Sequence, residues 1–258
     1  MERRTASRMA AVASPRARHA LALRCVFTGG EPLPASTIAW VERELGCVLN
    51  EGYGMSEVNH MIGNCAALRP IRPGSMGWEF PGHVAALVDE AGQPVPDGEV
   101  GEIVTTPEAP TAFIGYWGRP DLTRAMRLGP WLRTRDLAVR DADGYFWYRG
   151  RGDDLIKSGG YRIGPTEIEE VLMTAPAVQE AAAIGVPDAM RGQVILAVLR
   201  LAEGVALSPV LEETFRSACR ARLGPFKVPH RFAVVSAMPT TSSGKMSRRL
   251  LREAFSTS

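Results

Sequence analysis

A single stretch sets the tightest limit on how this 258-residue chain can fold: Gly150-Arg151-Gly152-Asp153-Asp154-Leu155-Ile156-Lys157-Ser158-Gly159-Gly160-Tyr161-Arg162-Ile163. Two acids, three bases and four glycines fall within fourteen positions. Such a composition is not expected to pack as a core element, because it carries many charges and few apolar groups to bury. It suits a flexible connection that handles anions, or a solvated charged linker. The hydrophobic pattern also changes character across it. The chain is therefore expected to divide there, into residues 1–152 and 153–258, with a flexible boundary at Asp153.

Upstream, residues 24–28 read as a short buried strand that ends at Gly29-Gly30. Residues 34–46 read as a helix: Pro34 opens it, Ile38, Val41 and Leu45 share a face, and Gly46 stops it. Val48 and Leu49 start a second strand that runs into Gly52-Tyr53-Gly54. Strand, helix, strand is the order of an α/β layer. Residues 74–150 then alternate short strands (84–88, 102–106 and 145–148) with turns at 91–94 and 141–144, the pattern of a β-rich subdomain. Asp141-Ala142-Asp143-Gly144 is a hairpin turn and not a calcium loop, since its Gly comes too early and no Glu closes it.

Beyond residue 153 the pattern is that of a small α+β domain. Pro165 opens a helix whose Ile168, Val171, Leu172 and Ala175 form one stripe, with Pro176 ending it. Strands are expected at 178–184 and 194–201, then a helix capped by Ser208 with Pro209 at its first position and Gly224 at its end. A further strand covers 231–235, and the tail is basic, with Lys245, Arg248, Arg249 and Arg252.

Charge excludes some classes of partner. The 30 basic and 28 acidic side chains leave a net charge of +2, too balanced to argue for nucleic acid or a membrane surface. No apolar run approaches the length of a membrane span. Cys25, Cys47, Cys65 and Cys219 are scattered, with no Cys-x-x-Cys pair, which fits a reducing cytoplasm and argues against zinc or a disulfide framework. The first 24 residues, rich in Arg and Ala and without acids after Glu2, have a composition seen in transit peptides. They read better as broken helix, with Pro15 as the break, leading into the apolar run at 25–27.

Five polar clusters could carry chemistry. Thr28-Gly29-Gly30-Glu31-Pro32 lets backbone approach something flat or anionic, or is a plain tight turn. Gly52-Tyr53-Gly54-Met55-Ser56-Glu57 offers an aromatic face, a hydroxyl and a carboxylate, a set suited to a phosphate with Mg²⁺; a polar turn around a core tyrosine is the alternative. Asp136, after Trp131-Leu132-Arg133-Thr134-Arg135, could accept both hydroxyls of a ribose or could be a salt-bridged structural acid. The stretch at 150–163 is the fourth. The fifth, Pro239-Thr240-Thr241-Ser242-Ser243-Gly244-Lys245, presents one lysine on a small-residue loop. It is not a phosphate-binding P-loop, because Pro239 replaces the first Gly and Met246 the Mg²⁺-binding Ser or Thr.

In this order and spacing the clusters resemble the adenylate-forming (AMP-binding) superfamily of acyl-CoA synthetases, peptide-synthetase adenylation domains and luciferases. The match runs from about Leu23 to Arg252, and the wording of the last two clusters is closest to acetyl- and medium-chain acyl-CoA synthetases. The resemblance implies α/β architecture with a β-rich subdomain, part of a large AMP-binding domain over 1–152, followed by a mobile small α+β C-terminal domain over 153–258.

It also implies roles. Gly30, Glu31 and Pro32 would line the adenine pocket and Tyr53 would stack on the ring. Ser56 would touch phosphate, Glu57 would bind Mg²⁺, and Asp136 would hold the ribose with Arg151 nearby. Asp153 would be the hinge, Gly160 would lie on the loop facing the thioester-forming site, and Arg162 would anchor phosphate or the domain interface. Lys245 would be the catalytic lysine of adenylation.

The implied activity is AMP-forming acyl-CoA ligation in the cytoplasm. A carboxylic acid, a fatty acid by the wording, reacts with ATP to give acyl-AMP, then with coenzyme A to give the thioester. Two alternatives stay open: a catalytically silent nucleotide-binding remnant, and an adenylation domain that loads a carrier protein. Two departures bear on this. The family's N-terminal portion, with its phosphate-gripping loop and most of the acyl pocket, is not in this sequence, so the chain is expected to be truncated. The family also has Gly before the ribose Asp, where this chain has Arg135. If that position needs a positive φ, Arg135 is expected to cost stability or nucleotide affinity.

Overall fold

The computed structural model describes residues 12, 14–30, 35–241 and 246–255. They form two compact units, Met1–Tyr148 and Arg149–Ser258. The architecture is mixed α/β with three sheets.

The first sheet carries strands β1 (Cys25–Gly29), β2 (Val48–Met55), β3 (Asn59–Asn64) and β4 (Trp78–Glu79), adjacent in that order. A four-residue helix, α1 (Pro15–Arg18), precedes β1. Pro15 occupies its first turn, where the absent N–H is no loss, so it opens a helix here instead of breaking one. β1 and β2 run parallel, as the strand–helix–strand pattern requires. The connection is α2 (Ala35–Trp40), prolonged by a π-helical turn Val41–Leu45 and closed by Gly46 at φ 65°. Pro34 lies outside the described residues. Ile38, Val41 and Leu45 are buried with Leu49 and Cys47 as the core of this layer.

The second sheet is β-rich and antiparallel. Strands β5 (Ala86–Val88), β6 (Val100–Thr105), β8 (Trp131–Arg140) and β7 (Arg127–Leu128) are neighbours in that order, and β9 (Phe146–Arg151) also pairs with β8. A short helix, α3 (Pro120–Ala125), precedes β7. β5 starts later than the expected 84–88, and Val84 is exposed. The hairpin at 141–144 is as expected. Asp141 Oδ1 accepts the N–H groups of Asp143 and Tyr145, and Oδ2 pairs with Arg72, so its carboxylate is spent on the turn. The core of this part gathers Val58, Met61, Ile62, Leu87, Ile103 and Phe146.

The second unit holds the third sheet, ordered β11 (Tyr161–Ile163), β10 (Ile156–Ser158), β13 (Gly192–Leu201) and β12 (Val178–Asp188), with β14 (Arg231–Val234) parallel to β13. Helices α4 (Pro165–Leu172) and α5 (Pro209–Leu223) supply Ile168, Leu172, Phe215 and Cys219 to one core of this unit. Ser208 caps α5 by accepting the Leu211 N–H at 3.3 Å. α6 (Arg248–Phe255) buries Leu251 on the opposite sheet face, with Ile184, Leu196 and Val198. No described helix is long and apolar enough to cross a membrane.

The glycine-rich stretch departs from expectation. Residues 156–163 are not a linker: β10 and β11 form a hairpin, and Ile156 and Ile163 are fully buried in the core of the second unit. The burial alternates. Ile156, Ser158 and Ile163 point inward while Lys157, Tyr161 and Arg162 stay exposed, so the charges sit on the solvent face of a half-buried hairpin. Gly152–Asp154, a single 3-10 turn just after the boundary between the units, and Leu155 after it lie outside the strands.

Candidate active site

The site grows from the C-terminal end of β2 and a distortion in β8, both in the first unit. β2 pairs with β3 through a bulge at Tyr53/Gly54. A Cβ on Gly54 would stand 1.8 Å from the Asn59 carbonyl oxygen, and one on Gly52 would stand 2.4 Å from Phe27. Only glycine fits at 54, where backbone blocks a side chain, while a side chain at 52 would have to displace the Phe27 ring.

In β8, residue 137 pairs with Glu102 and residue 133 with Val104, so three residues (134–136) oppose Ile103 alone. This bulge turns Asp136 out of the ladder. It is held on both sides. The Thr134 hydroxyl donates to the Ile103 carbonyl at 2.8 Å and accepts the Asp136 N–H at 3.1 Å. The Glu102 carboxylate accepts the Arg135 N–H at 2.9 Å and the Arg133 Nε–H at 3.0 Å.

Arg135 adopts φ 64°. The position therefore does require the left-handed region, at a cost of about 1–2 kcal/mol for an L-residue.

Two pairs of side chains meet here. The Tyr53 hydroxyl donates to Asp136 Oδ2 at 2.7 Å, across 83 positions of sequence, and the Tyr148 hydroxyl donates to Oδ1 at 3.4 Å. Burial first, then the Asp136 charge, pushes the Tyr53 phenol far above its ordinary range, so it remains a donor. A carboxylate has about four acceptor positions, so it can accept several donors at once.

The second pair is Glu57 with Tyr116, whose hydroxyl donates to the Glu57 carboxylate in a short hydrogen bond. The loop around Tyr116 is tied to the turn after β2. The Phe113 N–H donates to the Glu57 carbonyl at 2.7 Å and the Thr111 hydroxyl to the Val58 carbonyl at 2.7 Å. Burial and the Glu57 hydrogen bond push the Tyr116 phenol up to about 12, while Arg135 pulls it down.

This pair gives a pH prediction. A phenol raised above its ordinary value of about 10 stabilises the fold below that pH, and the contribution is lost as pH rises through the folded value. Phenolate absorbance of the chain is expected to show a step near pH 12 that disappears in Tyr116→Phe. A Tyr116 step near 10 would contradict the pairing with Glu57.

Among the residues singled out from sequence, Tyr53, Ser56, Glu57 and Asp136 all belong to the first unit, and Tyr53 and Asp136 are in direct contact. Ser56 is exposed on the turn after β2, and Gly30 is exposed with φ 94° at the end of β1. Arg151, Asp153, Gly160 and Arg162 belong to the second unit. Arg151 there pairs with Asp153 at 2.9 Å. Gly159 and Gly160 form the tip of the β10–β11 hairpin at φ 56° and 84°, with open space where a Cβ would be. Glu31, Pro32 and Lys245 lie outside the described residues.

The ends of the Lys245 loop are described. Thr240 and Met246 form a bridge, and the Ser247 N–H donates to the Pro239 carbonyl at 2.9 Å. Sequence reasoning passed over Tyr116, Tyr148 and Glu102. The aromatic pair Tyr116-Trp117 between Gly115 and Gly118 was the available signal for Tyr116. Nothing local marks the other two, whose roles depend on partners on neighbouring strands.

The family model described as AMP-binding enzyme matches residues 4–117, and that described as AMP-binding enzyme C-terminal domain matches residues 167–245. The chain is 36% identical over 247 residues to an acetyl-coenzyme A synthetase of Pyrobaculum aerophilum, covering 92% of this chain and 37% of that protein. It is 38% identical over 234 residues to 4-hydroxybutyrate–CoA ligase 1 of Metallosphaera sedula, covering 90% and 41%.

Among solved structures, it is similar to the anthranilate CoA ligase AuaEII in complex with anthranoyl-AMP. The TM-score is 0.77 and the identity 36%, over 90% of this chain and 44% of that one. The chain thus spans about two fifths of the length of the curated relatives it matches. On these matches, the chain belongs to the adenylate-forming AMP-binding enzyme family and is similar to its acyl-CoA synthetases.

Proposed function

We propose that the chain carries the nucleotide site and the small mobile domain of an AMP-forming acyl-CoA ligase, which joins a carboxylic acid of the fatty-acid class to coenzyme A through acyl-AMP. The observation that carries this reading is Asp136, turned out of β8 by the bulge and oriented by the phenols of Tyr53 and Tyr148. A carboxylate so fixed in place suits the two vicinal hydroxyls of a ribose, which a carboxylate can accept together. The Tyr53 ring and the backbone at Gly30 are the groups on offer for the adenine, and Ser56 for phosphate.

Mg²⁺ is the cofactor this reading implies. No cluster of three candidate ligands occurs among the described residues. Glu57 alone is compatible, because Mg²⁺ keeps several waters and commonly takes one or two carboxylates plus the phosphates of its substrate. When bound, the ion supplies charge neutralisation as carboxylate and phosphate are brought together. The chain's own part is to hold the Glu57 carboxylate in place through Tyr116 and the Thr111 and Phe113 hydrogen bonds.

In the second unit, Asp153 is the proposed hinge and the open Gly159-Gly160 tip the proposed approach for the thiol of coenzyme A, with Arg162 and Arg151 as phosphate or interface contacts. The backbone turn of Gly152–Asp154 is the short irregular piece such a rotation needs.

The test is nucleotide binding by the 258-residue chain. Asp136→Ala is expected to weaken AMP by on the order of tenfold to hundredfold, since it removes charge-assisted acceptors for two hydroxyls. Wild type should also prefer AMP to 2′-deoxy-AMP, and the variant should not. Equal binding of both nucleotides by wild type would remove Asp136 from the ribose site and the reading with it.

A further inference from the structure

One cavity of the first unit lies outside the groups described above. It has a volume of about 380 Å³ and is bounded by the turn at 65–70, the run from β4 to His83, and Tyr145 of the hairpin. Arg69, Trp78 and His83 are among its lining residues, and Leu68, Phe80 and Tyr145 give it an apolar wall. None of Tyr53, Glu57, Tyr116, Asp136 and Tyr148 lines it. The walls are fixed from behind. The Tyr145 hydroxyl donates to the Pro70 carbonyl at 2.7 Å, the Phe80 N–H to the Met61 carbonyl at 2.9 Å, and the His83 N–H to the Phe80 carbonyl at 3.0 Å. Such a cavity is largely formed before anything enters it.

Three nitrogen groups of this wall have no hydrogen-bond partner among the described residues. The Arg69 guanidinium lies over the Trp78 ring and pairs with no carboxylate. The Trp78 indole N–H and His83 Nδ1 are buried and unpaired. A buried polar atom left unpaired is costly, and folded proteins hold few of them. Two of the three such atoms among the described residues fall on this one cavity. The wall's one acid, Glu79, has Oε2 engaged by the Ala85 N–H at 3.1 Å. An indole and a guanidinium only donate. The partner they lack is an acceptor, and beside a guanidinium an anionic one binds best.

We propose that this cavity is a second ligand site of the chain, for a small carboxylate with an apolar body. The apolar wall selects a hydrocarbon chain or ring over a bare inorganic anion, and Arg69 and Trp78 take the carboxylate oxygens. The site is separate from the nucleotide reading and does not depend on it.

The probe is 3-phenylpropionate, with 3-phenylpropanol as its uncharged counterpart and inorganic phosphate as the bare anion. Binding to the 258-residue chain is measured by calorimetry and by NMR of the Trp78 indole N–H, identified by its loss in Trp78→Phe. The acid is expected to shift that resonance to saturation and to bind about tenfold tighter than the alcohol or phosphate. Arg69→Ala is expected to weaken the acid about tenfold. Because Arg69 is exposed, this variant should melt within about 2 °C of wild type. Saturating AMP should not displace the probe.

No saturable shift, or an affinity for the acid unchanged in Arg69→Ala, would overturn the inference. Equal affinity for the alcohol would reduce the cavity to an apolar groove, and equal affinity for phosphate would reduce it to a loose anion contact; either result overturns it. Displacement by AMP would put the probe at the nucleotide site and overturn it as well.

Discussion

Arg248→Ala is expected to destabilise the second unit by about 3–5 kcal/mol, the usual cost of removing one member of a buried ion cluster. Arg248 gives Nε and Nη2 to the two oxygens of Glu169, at 3.0 and 2.6 Å, and Nη1 to Asp154 at 3.2 Å. Arg252, one helical turn on, reaches the other oxygen of Asp154 at 2.8 Å. The side chains of Arg248, Glu169 and Asp154 are only 18%, 11% and 11% exposed, so water is a poor substitute for any partner removed. Glu169 also accepts the buried Ala183 N–H of β12 at 2.8 Å, so its carboxylate is fixed among β12, α4 and α6. Without Arg248 it would be left buried with that single hydrogen bond. Chemical denaturation followed by hydrogen exchange in the second unit measures the loss. The double variant Arg248→Met, Glu169→Leu should recover much of it, because the apolar replacement leaves no uncompensated charge. A loss below about 1 kcal/mol for Arg248→Ala would reduce the cluster to ordinary surface pairs.

This cluster also shows where sequence reading stopped. Arg248 and Arg252 were legible only as a basic tail, and Asp154 only as one of two acids in a charged stretch. Their meeting depends on 94 to 98 positions of intervening chain. The stripe of Ile168, Val171 and Leu172 on α4 was readable because a helix repeats its inward face locally, and all three are buried. β8 was not readable as one strand. Leu132, Thr134 and Ala138 are its buried residues, but the bulge at 134–136 leaves Asp136 out of that buried row and interrupts the alternation midway. Arg133, the charge that most disguises the pattern, is neutralised by Glu102 on the neighbouring strand.

The β10–β11 hairpin was misread for a related reason. Glycines and charges dominate its composition, while three inward side chains decide its burial. At the site, Asp136 stood out from its surroundings and from the resemblance. Tyr53 stood out too, but as a ring to stack on and not as a donor to Asp136; Tyr148 did not stand out, and both donors come from other strands.

Lys245→Ala is expected to lower acyl-AMP formation by on the order of 10²–10³-fold, the range for removing one group that stabilises transition-state charge. Thioester formation from supplied acyl-AMP should stay within about twofold. The expectation concerns a polypeptide that also supplies a phosphate-gripping loop, so that both half-reactions can be assayed. The reason for the asymmetry is electrostatic. Attack of a carboxylate on the α-phosphorus gathers negative charge that an ammonium offsets, whereas attack of a thiol on acyl-AMP expels AMP and needs no cation in the same place. The chain closes the base of the Lys245 loop twice, through the Thr240–Met246 bridge and the Ser247 N–H on Pro239. Arg248, one residue beyond that closure, is clamped on Glu169 and Asp154. The loop is thereby tied to the residue next to the proposed hinge at Asp153, so a rotation there would move Lys245 with the body of the second unit. An equal loss in both half-reactions would show Lys245 to be a structural residue and remove the alternation from this account.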